Sequence, residues 1–319
     1  MTINYTTHHN VMPSALKVDE NPDAESLERA YDFCMDMFKL HAKSFYFASR
    51  YLEAEERRSF AALYAFCRLV DDFADEVDLP KEQIENELDL LDSIVERLSQ
   101  GVVFDNQLFR AFGNTMTKYS IPPRYLHELI DGVRMDINLT EIKTIQELDK
   151  YCYHVASTVG VMMCHIWGVT TPETLERAAD LGHALQLTNI LRDIAEDYEN
   201  GRIYIPRETR EKFRVDVSDF ENQTVSPNFK WMVKSEIARA KSIYAAAEIG
   251  IDDLPPGGQF TVKVASRVYS EIMTEIEKMD YEVFSKRAVV PKWKKLWIAY
   301  KLRREYKREK KAYLQRQED

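Results

Sequence analysis

The chain has 319 residues, 45% of them hydrophobic, and a formal net charge of −10. That balance excludes general nucleic-acid binding, which needs a basic footprint, and the length allows a substantial buried core. With 11 Pro, only 10 Gly and no long Pro/Gly/Ser linker, one all-α domain over 26–319 is expected, built from long helices joined by short turns.

Residues 1–25 are polar, contain Pro13 and Pro22 and lack the basic and apolar regions of a secretory signal; a flexible leader is expected. Hydrophobic periodicity predicts helices over about 26–49, 54–78, 81–100, 105–118, 122–137, 145–168 and 172–199. Three more follow at about 228–250, 258–285 and 291–315, with Pro255-Pro256-Gly257-Gly258 as a strong break. The most apolar stretch, Val155 to Val169, contains Ser157, Thr158 and His165 and is shorter than the roughly 20 residues a membrane span needs. Cys34, Cys67, Cys152 and Cys164 show neither paired nor metal-type spacing, which reads as buried reduced thiols in a cytoplasmic protein.

Two aspartate pairs, Asp71 with Asp75 and Asp193 with Asp197, each stand four residues apart in a predicted helix. Residues at i and i+4 share a face, so each pair points two carboxylates the same way, and a cation between them relieves their repulsion. Mg²⁺, or Mn²⁺ in its place, is usually held by one or two carboxylates, substrate phosphates and water, so two aspartate walls point to a metal-bridged diphosphate. In a chain with 53 acidic residues a single such match is equally a solvated helix face. The surroundings sharpen the reading. Asp71 and Asp75 interrupt the apolar run from Leu63, so they are expected to face inward, where unpaired charge is costly. Gln186, Asn189, Asp193 and Asp197 are expected to form one continuous polar helix face, with Leu185, Leu187, Ile190, Leu191 and Ile194 filling much of the remainder.

The segments His41-Ala42-Lys43-Ser44-Phe45, Tyr64 to Asp72 and Asn189 to Asp197 resemble the squalene and phytoene synthase family. So do Tyr151-Cys152-Tyr153, Val159-Gly160 and Gly201 to Pro206. The resemblance runs from about Cys34 to Lys295, in the family's motif order. Asp71-Asp72-Phe73-Ala74-Asp75 alone would also suit a chain-elongating prenyltransferase, but those enzymes usually carry adjacent aspartates in their second motif, and here Ile194 follows Asp193.

The resemblance implies an isoprenoid-synthase fold with a central cavity. It also implies head-to-head condensation of two geranylgeranyl diphosphates, through a cyclopropylcarbinyl diphosphate, to phytoene. A C30 enzyme using farnesyl diphosphate to make dehydrosqualene, presqualene diphosphate or squalene is the alternative, and a non-catalytic assembly factor of the same family is a reading from a different class. On this resemblance Asp71, Asp75, Asp193 and Asp197 hold the metal, with Asp72 in support. Arg68, Arg192 and Arg202 offer guanidinium forks to diphosphate oxygens, Lys43 and Ser44 contact a diphosphate, and Gln186 and Asn189 orient metal-bound water or the leaving group. Tyr151 and Tyr269 are candidates to face the carbocation, with packing as the competing explanation. His41 lies in a family motif but is expected to be a satisfied structural histidine. A reaction that ends in proton loss needs no NADPH.

Small side chains at Ser49 and Ala61, where C30 relatives typically carry aromatics, would leave a hydrophobic tunnel open to the longer substrate. From Lys286 to Lys311 the chain is strongly basic, and Trp293, Leu296, Trp297 and Tyr300 recur at helical spacing. This pattern suits a last helix packed on the domain, peripheral contact with an anionic membrane, or both.

Overall fold

The computed structural model describes residues 17–74 and 79–318, with backbone alone for Lys43, Ser44, Ala74, Glu305 and 307–318. The described residues are helical, and their β-type pairing is limited to the isolated bridges Val18 with Phe104 and Glu141 with Ile203. Among them no helix is long and apolar enough to cross a membrane. Two compact units are distinguished: Met1–Ile137 with Val161–Thr170, and Asn138–Gly160 with Thr171–Asp319.

The first unit contains α1 (Ala24–His41), α2 (Lys43–Ala48), a 3₁₀ turn (Ser49–Tyr51), α3 (Ala54–Ala74), α4 (Lys81–Ser99), α5 (Gln107–Lys118) and nearly all of α6 (Pro123–Asn138). Local chemistry sets the helix starts. Asp23 accepts from the Ser26 N–H at the head of α1, and Asn106 accepts from the Phe109 N–H at the head of α5, each satisfying an orphan donor of the first turn. Helices α1, α3 and α5 pack on one another, and Phe66 of α3 stacks on Phe112 of α5 with centroids 4.4 Å apart. The helix expected over 26–49 is interrupted: Ala42 leaves helical geometry (φ −114°, ψ 52°), so Lys43 opens a new short helix.

The second unit begins with α7 (Ile145–Cys152), which passes through a π-helical segment (Tyr153–Ser157) into α8 (Thr158–Trp167); the boundary between the units falls inside α8. Next come α9 (Pro172–Arg192), α10 (Ile194–Glu199), α11 (Arg207–Phe213), α12 (Val217–Glu221) and α13 (Pro227–Ala247). A 3₁₀ turn (Glu248–Asp253), α14 (Pro256–Lys278) and α15 (Lys292–Glu318) complete it. Thr171 and Ser226 cap α9 and α13, each followed by Pro at the first helical position, where its missing N–H costs nothing.

Helix α9 is the hub of this unit, packing on α13, α14 and the π segment. Its approach to the π segment is backbone-close: a Cβ on Gly182 would lie 2.5 Å from the Ala156 carbonyl oxygen, and one on Gly160 would lie 2.6 Å from that of Ala178. Two short helices, α11 and α12, occupy a stretch for which periodicity predicts none, because five to seven residues carry too little pattern to register. The helix expected to reach 285 stops at Lys278, where Asp280 and Tyr281 take positive φ (54° and 65°). All four cysteines are free and buried.

Candidate active site

In the first unit α3 is buried almost all round from Ser59 onward, but Tyr64, Arg68, Asp71 and Asp72 form a less buried stripe along it at spacings of three and four. Asp71 is exposed rather than inward-facing. The apolar neighbours Leu69, Val70 and Phe73 take the core positions and leave the aspartate on the accessible face. Asp75 lies outside the described residues. Arg68 forms an ion pair with Asp72 one turn on, while its Nε is buried without a hydrogen-bond partner among the described residues. Asp72 thus orients Arg68, and the guanidinium keeps an unused donor.

Beside this pair lies His41, at the end of α1. Its Nε2 is buried with no hydrogen-bond partner among the described residues, which overturns the expectation of a satisfied histidine. Burial first, and then the charge of Arg68, hold the imidazole below its ordinary pKa, so it is kept neutral. Lys43 and Ser44 open α2 directly after the Ala42 break. Ser49 is 1% exposed and sits in the 3₁₀ turn; its hydroxyl donates to the Tyr46 carbonyl (2.9 Å) and accepts from Arg57 Nε (3.2 Å). Ala61 is fully buried. Both small residues are enclosed by packing within this unit.

In the second unit the polar stripe of α9 is not one unbroken helix. Asp193 caps the end of α9 with φ −105° and ψ 15°, and α10 starts at Ile194, although the Asp193 N–H still donates to Asn189 (2.9 Å) and the Asp197 N–H to Asp193 (2.8 Å). Asn189 donates to Gln186 Oε1 at 3.3 Å, and its own Oδ1 is buried without a partner among the described residues. A buried acceptor left unpaired is costly. The Asp193 carboxylate is gripped from two sides. Arg192 donates from Nε to Oδ1 (2.8 Å) and from an Nη to Oδ2 (2.5 Å), while Arg287 places its Nε 2.9 Å from Oδ1 and its Nη1 3.4 Å from Glu196.

Burial works against the charge of Arg192, but the hydrogen bonds to Asp193 outweigh it and hold the guanidinium above its ordinary range. The Tyr269 phenol lies within electrostatic reach of both residues and is pushed up chiefly by burial, so it stays protonated. Lys295 is pushed down by burial first and by the charge of Arg192 second. Arg202 follows Gly201 (φ 77°) in a turn that closes α10: its N–H donates to the Asp197 carbonyl (2.8 Å) and that of Gly201 to Tyr198 (2.9 Å), the pairing of a Schellman cap. Tyr151 is buried and stacked on Tyr204, centroids 4.9 Å apart at 28°.

Periodicity and motif reading missed His41 as an unpartnered base, and they missed Arg287 and Lys295 at the second motif. The signal available for the latter two was only the basic run before and into α15, which equally describes a solvated surface.

The donor set suits a hard divalent cation. The Asn189 Oδ1, Asp193 and Asp197 supply oxygen only, and the orphaned Asn189 oxygen is an acceptor in need of a positive partner. Among the described residues no three His, Cys, Asp or Glu side chains form a metal cluster. A Mg²⁺ site completed by diphosphate oxygens and water needs no such trio.

Residues 38–294 match the family model for squalene/phytoene synthase. The chain is 32% identical over 283 residues to 15-cis-phytoene synthase of Synechococcus elongatus, covering 85% of this chain and 91% of that protein. It is 35% identical to 4,4'-diapophytoene synthase of Staphylococcus haemolyticus, covering 88% and 99%. With a chloroplastic phytoene synthase from an Oncidium hybrid cultivar it shares 34% identity over 85% of this chain, and spans 66% of that protein's length. Its structure is similar to the crystal structure of a dehydrosqualene synthase in complex with a ligand, with a TM-score of 0.82 at 25% identity, covering 89% of this chain and 98% of the other.

Proposed function

Because the chain belongs to the squalene/phytoene synthase family, we propose that it is a prenyltransferase of the phytoene synthase type, joining two geranylgeranyl diphosphates head to head with release of diphosphate. The observation that carries this reading is the Asp193 carboxylate held between Arg192 and Arg287 beside the orphaned Asn189 oxygen. One place thus offers oxygen ligands for a divalent cation and guanidinium forks for a diphosphate.

Asp193, Asp197 and Asn189 would hold Mg²⁺ on this unit, and Asp71 with Asp75 on the other motif. Bound there, Mg²⁺ supplies Lewis-acid stabilisation of the departing diphosphate. Arg192 and Arg287 turn their donors from Asp193 to the diphosphate oxygens as charge builds on them, with Arg202 as a further cation. Arg68, held by Asp72 with Nε spare, serves a diphosphate at the first motif together with Lys43 and Ser44. Gln186 keeps Asn189 oriented through its amide contact. Ionisation leaves an allylic cation that attacks the second substrate, and proton loss gives the cyclopropylcarbinyl diphosphate. A second ionisation, rearrangement and a final proton loss give the hydrocarbon. Tyr269, a half-buried neutral phenol beside Arg192, presents an aromatic face to such cations, and Tyr151 does the same from its stack on Tyr204.

A C30 reading is favoured by the similarity to the diapophytoene synthase and to the dehydrosqualene synthase structure. Incubating the purified protein with Mg²⁺ and either farnesyl or geranylgeranyl diphosphate, with and without NADPH, and identifying extracted lipids by mass decides between them. Phytoene from the C20 substrate without NADPH is expected. Product from the C15 substrate alone would establish the C30 enzyme, and yield that depends on NADPH would establish a squalene-forming one.

A further inference from the structure

Helix α15 has two faces with different tasks. One lies against α14: Ile298 and Ala299 are buried, Tyr306 meets Phe260 with centroids 5.4 Å apart, and Lys294 pairs with Glu271 and Glu275. Lys295 on the same side comes within electrostatic reach of Arg192, next to the candidate site.

The other face carries Trp293, Leu296, Trp297 and Tyr300, at spacings of three, one and three, and they are 68%, 59%, 51% and 65% exposed. Val289, just before the helix, is 65% exposed. Isolated apolar side chains in water are ordinary, but a contiguous aromatic stripe over two turns marks a contact surface. Further along the helix the chemistry changes. Lys301 lies 4.2 Å from the Trp297 ring centroid, Arg303 and Arg304 are exposed, and Lys307, Arg308 and Lys311 continue the run. The helix carries eleven Lys and Arg against three Glu, in a chain whose net charge is −10. Two copies of this face would repel each other. A bilayer with anionic headgroups offers the complement: indole and phenol rings settle at the headgroup level, and each nearby Lys or Arg adds electrostatic attraction.

We propose that the outer face of α15 is a membrane-docking surface, with Trp293, Leu296, Trp297 and Tyr300 inserted among the headgroups of an anionic bilayer and Lys301, Arg303 and Arg304 neutralising them. This docking rests on the surface alone and stands whether the substrate is C15 or C20. Because the opposite face of the same helix carries Lys295, the bilayer would lie one helix diameter from the Arg192 cluster, a short route into lipid for a hydrocarbon.

The test is co-sedimentation of the full chain with phosphatidylcholine vesicles, with or without about one-third phosphatidylglycerol. Wild type is expected to partition onto the anionic vesicles, less so as salt is raised, and to show tryptophan quenching by brominated lipid. Trp293→Ser with Trp297→Ser should weaken partitioning by about tenfold or more. A second variant, Arg303→Glu with Arg304→Glu, alters only exposed charges outside the aromatic stripe and should weaken it comparably at low salt. Absence of wild-type partitioning, unchanged partitioning in both variants, or a tryptophan pair that governs self-association in gel filtration while vesicle binding persists would each overturn the proposal.

Discussion

Arg287 reaches Asp193 from the loop before α15, its Nε 2.9 Å from Oδ1, on a carboxylate already forked by Arg192. A divalent cation can claim that carboxylate only if the guanidiniums yield it, and the diphosphate that accompanies the metal gives them new acceptors. Arg287→Ala should therefore raise KM for the diphosphate substrate about tenfold to a hundredfold, the value of a charged hydrogen bond of about 1.5–3 kcal/mol. Arg287→Lys should recover part of the loss, since it keeps the charge but not the fork. Steady-state kinetics decide it: an unchanged KM in Arg287→Ala would leave the arginine a purely structural partner.

Asp193→Asn and Asp71→Asn should each reduce turnover to about 1% or less, because both remove charge from carboxylates assigned to metal. Circular dichroism should be unaltered, since Asp71 is exposed and Asn can still bond Arg192. Near-normal turnover at saturating Mg²⁺ would remove the residue concerned from the metal site.

Gly182→Ala should destabilise the fold by about 1–3 kcal/mol, the usual cost of overpacking. Its Cβ would stand 2.5 Å from the Ala156 carbonyl oxygen and 2.7 Å from the Ser157 Cα, both backbone atoms with little room to retreat. Gly168→Ala is the control: a Cβ there meets nothing within 4 Å, so its cost comes only from the left-handed φ of 71°. Chemical denaturation of the two variants compares steric overlap with backbone strain, and Gly182→Ala should have the lower midpoint.

Ser49→Phe is the substitution expected from sequence to shift preference toward the C15 substrate. In the structure Ser49 is enclosed and holds Arg57 Nε, so an aromatic there both overpacks the turn and strands a guanidinium donor. Ser49→Ala should cost about 1 kcal/mol with chain-length preference unchanged, and Ser49→Phe more. Thermal melts alongside C20-to-C15 competition separate a tunnel floor from a packing site: a clear selectivity change with an unchanged melt would restore the tunnel reading.

Glu236 of α13 is buried, with Arg239 Nη1 at 3.3 Å. Burial disfavours its anion more than Arg239 favours it, so the carboxyl is held above the ordinary glutamate range. The folded chain thus binds this proton more tightly than the unfolded chain. The resulting stability is full below the ordinary glutamate value and is lost as pH rises through the folded one. The Tm advantage of wild type over Glu236→Gln should shrink as pH goes from about 4 to about 7, and an advantage that grows over that range would contradict the assignment.

The helical class and most helix positions were legible because apolar periodicity, Thr171-Pro172 and Ser226-Pro227 starts, and the Pro255-Pro256 break are local signals. The interruptions at Ala42 and Asp193 were not. Each is a single residue leaving helical angles with flanking hydrogen bonds retained, and no side-chain pattern records that. The aspartate motifs and their arginines were visible through spacing and resemblance. The exposure of Asp71, the vacant Nε2 of His41 and the reach of Arg287 depend on what packs around them, which one chain of letters does not encode.

The π segment at Tyr153–Ser157 has a bearing on how this chain tolerates length change. A helix turns by about 100° per residue, and a π turn accommodates one residue more than an α turn. The surplus residue is taken up between Tyr151, stacked on Tyr204, and Gly160, lying against Ala178, without turning one contact away from the other. Deleting one residue from 153 to 157 would let the segment relax to a regular α-helix with both contacts close to their present phase, whereas a deletion in the regular turns of α7 or α8 has no surplus to draw on and would rotate one of them by about 100°. A single-codon deletion is thus better tolerated within this stretch than on either side of it, so the number of residues here is constrained less tightly than in the flanking helices.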